Sequence, residues 1–202
     1  LNDKWWYQLS DKNLQTKLLK GLGLSDKWAE ILGGSVRWNH MFGRAAPRIE
    51  AQGITGTFGA GDFSGQAFAD VVEKGGLFRS DKRYTNFAAL PDDIGKFLDD
   101  ASKAMLEQAQ AYGAALGLPA DVLKGVNQQA RIELTDDAEK NKDALLKALA
   151  GYGDALVESW SAAIKPLAQY GESTAQTIER VATALGGVND VLKALGLTAY
   201  DA

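Results

Sequence analysis

GITGTFGAGDFSGQAFADVVEKGGLFRSDKRYTNFAALPDDIGKFLDD, residues 53–100, is the stretch whose reading decides the fold. Up to Leu90 it alternates short, glycine-punctuated runs rich in Thr, Phe and Val with turn material, the pattern of β-strands. IEAQGITGTF, FSGQAFADVV and LFRSDKRYTNF are separated by GAGD and EKGG, which predicts three strands in a meander over about 49–88. FADVV is also compatible with a helical turn, and the glycines inside the first run mark bulges or close backbone approach. At Pro91 the period changes. Pro91-Asp92-Asp93 supplies a first-turn proline and acidic groups at the positive end of a helix dipole. Ile94, Phe97, Leu98, Ala101, Met105, Ala109, Tyr112 and Leu116 then recur at helical spacing until Gly117-Leu118-Pro119.

Working outward, PADVLKG reads as a short helical turn, and QARIELT (129–135) as a clean strand with Ala130, Ile132 and Leu134 on one face. Asp136 with Glu139 resembles a capping box. It opens a helix running towards Ile164 with the stripe Leu145, Leu149, Tyr152, Leu156, Trp160 and Ile164, ended by Pro166. Ser173 with Gln176 is a second capping box. Behind it Ile178, Val181, Leu185, Val188, Leu192 and Leu195 form a short coiled-coil-like seam, either packed on the domain or open to self-association. Residues 1–47 read as a helical lead-in holding four of the five tryptophans, Trp5, Trp6, Trp28 and Trp38, packed on the domain or facing a partner.

The expected fold class is therefore α+β. A small antiparallel sheet of three or four strands (the meander plus 129–135) is covered by two or three long amphipathic helices. The domain spans 48–202 behind the 1–47 lead-in. The 46% hydrophobic content suffices for a real core, and a net charge of −4 argues against a generic nucleic-acid binder. With no cysteine there is no disulfide or thiolate chemistry. No apolar run approaches the roughly 20 residues of a membrane span, and LNDKWWYQL lacks the apolar segment of a signal peptide. The start at Leu1 leads us to expect a piece of a longer polypeptide.

The search for chemistry returns little, and neither an enzyme nor a metal or cofactor site is expected. His40 is the only histidine and has no carboxylates beside it at ligand spacing. The pairs Asp92-Asp93, Asp99-Asp100 and Asp136-Asp137 are candidates for acid–base work, but two of them sit where helices begin. GTFGAGD carries Asp62 where a phosphate loop needs lysine, so it reads as a hairpin turn. GDFSG lacks the nucleophile-elbow spacing. One patch stands out. Lys74, Arg79, Lys82 and Arg83 interleave with Phe78 and Tyr84, with Glu73 and Asp81 diluting it. It reads as a solvated face, a protein interface or a nucleic-acid contact.

Two stretches resemble a known family. KGGLFRSDKRYT (74–85), preceded by GITGTFGAGDFSGQAF and followed by the amphipathic helix, is similar to the C-terminal region of phage tail tape measure proteins. So is YGESTAQTIERVATALGGVNDVLKALG (170–196), with its Gly-Glu opening and Glu179-Arg180 ahead of an Ala/Leu helix. The resemblance implies a virion protein assembled in the bacterial host cytoplasm. Such a protein would contribute to tail assembly and length determination, tail-tip attachment and DNA ejection. Implied partners are the tail tube, the tail tip or baseplate hub, and further copies of the chain along the tail axis; DNA contact is a weaker expectation. Even fully helical at ~1.5 Å per residue the chain would reach only about 300 Å, so a globular segment is expected rather than the measuring rod. Expected contact residues are Trp5, Trp6, Lys74, Phe78, Arg79, Lys82, Arg83, Tyr84, Ile178, Leu185 and Leu192. Two rivals are a nucleic-acid- or envelope-contacting module and a generic helical interaction domain. Peptidoglycan or peptide cleavage, and a membrane-surface role for 172–196, are the remaining alternatives.

Overall fold

The computed structural model describes residues 48–194; the tryptophan-rich lead-in with Trp5 and Trp6, and His40, lie outside them. Four antiparallel strands form one sheet in the order β3-β2-β1-β4. They are β1 (Arg48–Gly59), β2 (Asp62–Glu73), β3 (Lys82–Ala89) and β4 (Asn127–Glu133). Helix α1 (Asp92–Ala115) connects β3 to β4, followed by α2 (Ala138–Glu158), the short α3 (Ser161–Ile164) and α4 (Thr174–Ala194). The α+β architecture expected from the sequence is the one observed. FADVV is strand, not helical turn.

The β1–β2 hairpin sets the register. Ala60 and Gly61 both take positive φ, 51° and 83°, the type I′ conformation whose twist matches that of the flanking strands. Phe58 thereby pairs with Phe63, Gly56 with Gly65 and Ile54 with Ala67. The glycine pair has a steric reason: a Cβ on either residue would come within 2.5 Å of the Phe63 ring, which lies over both. Gly53 marks a close approach, since a Cβ there would overlap the carbonyl oxygen of Ile132 on β4. The bulge falls earlier, at Glu50, where the register shifts between Ile49 and Ala51.

Ile54, Phe58, Phe63, Ala67, Ala130, Ile132 and Leu134 share one sheet face and enter a single core with the helices. α1 contributes Ile94, Phe97, Leu98, Ala101, Met105 and Ala109, and α2 the expected stripe through Leu145, Leu149, Tyr152 and Leu156. The Phe58 ring stacks on Tyr152 at 5.3 Å and meets Phe63 at 4.7 Å, within the range where aromatic pairs attract beyond simple burial. The helices are also tied to the sheet by polar contacts. Asp99 accepts the Phe63 N–H at 2.8 Å, and the Ser102 hydroxyl donates to the Asp62 carbonyl at 3.1 Å. Buried Asn141 accepts the Thr135 N–H at 2.6 Å and donates to its carbonyl at 2.8 Å, joining the end of β4 to α2.

Helix ends follow from local chemistry. α1 closes with Gly117 at φ 67°, the Leu118 N–H reaching the Gly113 carbonyl and the Gly117 N–H that of Ala114, a Schellman motif. Asp137, not Asp136, caps α2, accepting from the N–H groups of Glu139 and Lys140. Ser173 and Gln176 form the reciprocal capping box expected for α4. The helix expected to run to Ile164 stops at Glu158. There the Ser159 hydroxyl bonds the Leu156 carbonyl, and Trp160 turns in to donate its indole N–H to Pro119.

Trp160 is 1% exposed and lies against Gly113, where a Cβ would fall 2.6 Å from its ring. Alanine is the better helix former by about 1 kcal/mol, but a rigid ring cannot yield and overpacking costs ~1–3 kcal/mol. Gly113→Ala is therefore expected to lower the urea-unfolding free energy. The Tyr152 hydroxyl, in contrast, is buried without a hydrogen bond of normal geometry. Burial raises its pKa, against weaker lowering by nearby Ser102 and the Gly61 backbone. Tyr152→Phe removes an unsatisfied group and keeps the ring, so denaturation should find it within about 1 kcal/mol of wild type or more stable.

Candidate functional site

Three regions of the described surface collect chemistry-bearing residues. The first is the connection between β2 and β3. The sequence pattern predicts a strand from Leu77; the chain instead leaves the sheet at Lys74 and re-enters at Lys82. The Arg79 N–H bonds the Gly76 carbonyl at 2.9 Å, closing a four-residue turn with Leu77 and Phe78 at its centre. At the neck, the Gly75 N–H donates to Asp81 at 3.0 Å. A Cβ on Gly75 would overlap the Arg79 carbonyl oxygen, so glycine is required there. Leu77 and Phe78 are 95% and 96% exposed.

The expected contact residues Lys74, Phe78, Arg79, Lys82, Arg83 and Tyr84 all belong to this loop or to the start of β3, and all are exposed, Tyr84 at 41%. Arg83 faces Glu50 at 3.7 Å, an exposed pair of small energetic weight. Lys74, Arg79 and Lys82 have no ion pair with another described residue. Leu77 was missed by reading only basic and aromatic residues; its adjacency to Phe78 between GG and RS was the available signal.

The second region is the sheet face away from the helices. A shallow groove of about 640 Å³ is lined by Thr55, Thr57, Ser64, Gln66, Gln129 and Arg131, with Gly56, Gly65 and Ala130. Its one cation is already engaged. The Arg131 guanidinium sits 3.7 Å from the centroid of the buried Phe68 ring, bonds Asp70 at 2.5 Å and lies 3.6 Å from Glu133. Asp70 also accepts the Thr85 hydroxyl at 2.7 Å, so three strands are laced together on this face. The groove offers hydroxyls and amides, and the described residues lining it include no base beside Ser64.

The third is the start of α4. Gly171, at φ 83°, turns the chain so that Glu172 meets Arg180 two helical turns on. The pair is bidentate, at 2.8 and 3.0 Å. Glu172 also accepts the Gln169 N–H and the Thr177 hydroxyl, while Arg180 reaches the Leu167 carbonyl. Hydrogen bonds from Arg180 and the Gln169 backbone lower the Glu172 carboxyl from 4.5 to about 2. The Gly-Glu opening and Arg180 thus build a clasp. Ile178 is fully buried in the core and Val181 packs against it, which corrects the expectation of Ile178 as a contact residue. The side chains of Leu185 and Leu192 lie outside the described residues.

Five of the six residues in the acidic pairs have structural employment. Asp99 holds the Phe63 N–H, Asp100 pairs with Lys96 at 3.5 Å, Asp137 caps α2, and Asp92 and Asp93 occupy the first turn of α1. Among the described residues no group of three or more His, Asp or Glu could hold a metal ion, and no helix is long and apolar enough to cross a membrane. Comparisons with protein-family models, with curated proteins and with solved structures return no match to this chain.

The clasp predicts a pH dependence. A carboxyl whose folded pKa is depressed stabilises the fold above its unfolded value and loses that contribution as pH falls towards the folded one. For Glu172 the window runs from about 4.5 down to about 2. Glu172→Gln should be less stable than wild type at pH 6. The gap between their urea midpoints should narrow as pH falls through that window, and a constant gap would show that the clasp does not titrate.

Proposed function

We propose that this chain is a non-enzymatic structural and interaction module of a phage or prophage tail tape measure protein. It works in the virion, contributing to tail assembly and length determination, tail-tip attachment and DNA ejection, with tail-tube and tail-tip or hub proteins as its neighbours. The family reading rests on the resemblance of residues 74–85 and 170–196. The observation that carries the interaction role is the 74–84 loop, where two nearly fully exposed apolar side chains are held on a hydrogen-bonded turn among four cations. Keeping Leu77 and Phe78 in water is unfavourable by about 1.5–3 kcal/mol each relative to burial, and a shorter polar turn would join β2 and β3 without it. Such surface features mark contact sites.

Purified tails from the strain that encodes the chain should contain peptides spanning 48–194 by mass spectrometry, in stoichiometric amount. Their absence would overturn the reading. A phage carrying Leu77→Ser with Phe78→Ser should lose infectivity at least tenfold. The purified double variant should keep the wild-type melting temperature, because neither side chain packs in the core.

A further inference from the structure

We infer that the 74–84 loop docks on an anionic lipid bilayer, seating Leu77 and Phe78 in the interface while its cations hold the headgroups. This names the partner of the surface on which the proposed function rests.

Three observations lead there. The apolar pair is almost fully exposed, at the centre of the turn closed by Arg79 and Gly76. It is also pre-shaped. The Gly75–Asp81 bond fixes the neck and Gly75 admits the Arg79 carbonyl where no side chain fits, so insertion does not have to order a floppy segment. Lastly, the charge is inverted relative to the chain. Lys74, Arg79, Lys82 and Arg83 flank Leu77 and Phe78 along the chain, in a protein whose net charge is −4. Asp81, the one carboxylate within residues 74–84, accepts the Gly75 N–H; Arg83 faces Glu50 at 3.7 Å, and Lys74, Arg79 and Lys82 have no ion pair with another described residue.

An apolar tip with basic flanks suits a membrane interface. Leu and Phe enter the boundary between headgroups and acyl chains, while Lys and Arg stems lie along it with their charges on anionic phosphates. Duplex or single-stranded DNA would use the cations and could stack on Phe78, but has nothing to offer Leu77. A protein pocket for two side chains falls well short of the roughly 800 Å² per partner of a stable interface.

The test is co-sedimentation of the full chain with vesicles of phosphatidylcholine alone or with 30% phosphatidylglycerol. Binding should be at least tenfold stronger to the anionic vesicles. Leu77→Ser with Phe78→Ser should lose it by tenfold or more at unchanged melting temperature. Arg79→Glu with Lys82→Glu should lose it with an intact tip, and carries the test should the first variant fold poorly. Phe78→Trp should shift its emission to the blue on anionic vesicles and be quenched by brominated acyl chains.

No binding to anionic vesicles would overturn the proposal, as would binding that survives the tip variant. Tip-dependent capture of DNA or of a tail protein without vesicle binding would also overturn it. Such a failure, with the chain present in purified tails, leaves the tail-module reading standing. Vesicle binding by a chain absent from tails would sink that reading and keep this one.

Discussion

The structure depends on the aromatic contact that joins the β1–β2 hairpin to α2. Phe58 and Phe63 are brought opposite each other by a two-residue turn, and Tyr152 closes the stack from the helix layer. The Phe63 ring has room only because Gly56 and Gly65 leave the sheet surface bare beneath it. Those glycines would weaken an isolated strand. Here the ring laid across them covers the backbone and restores the lost contact area.

Around that contact the polar anchors fall into place. Asp99 and Ser102 bring α1 to the start of β2, next to the turn, and Asn141 brings α2 to the end of β4. Trp160 closes the far end by filling the space that Gly113 vacates on α1. Apolar packing sets how close the helices come, while these directional bonds select the rotation at which they sit. The same bonds consume the side chains that could have served chemistry. The carboxylates cap and tether, and Arg131 is pinned between Phe68 and Asp70. The exposed cations and apolar side chains of the 74–84 loop remain, which is why the loop carries the functional reading.

Much of the architecture was legible because it rests on periodicity and punctuation. Alternation in QARIELT put Ala130, Ile132 and Leu134 on the core face, and helical spacing gave the buried stripes of α1 and α2. GAGD gave the hairpin turn. Boundaries were harder, since competing caps differ by little energy. Asp136 and Asp137 are chemically equivalent until the backbone shows which one precedes the first helical turn. The strand expected from Leu77 begins at Lys82 because GGLFRSD can close a turn upon itself, a local option that residue alternation does not register.

The sequence by itself determined the secondary elements, the apolar faces they must bury and the stretch in which cations meet aromatics. Those properties follow from residue period and turn chemistry, which act over a few neighbours. The tertiary structure decided which residues those faces consume and which remain free. Ile178 went into the core, Arg131 was neutralised by Asp70 from 61 residues away, and Glu172 was paired with Arg180. Leu77 and Phe78 were left in water. Burial and ion pairing between distant residues depend on chain reversal in space, and only the folded chain brings those partners within reach.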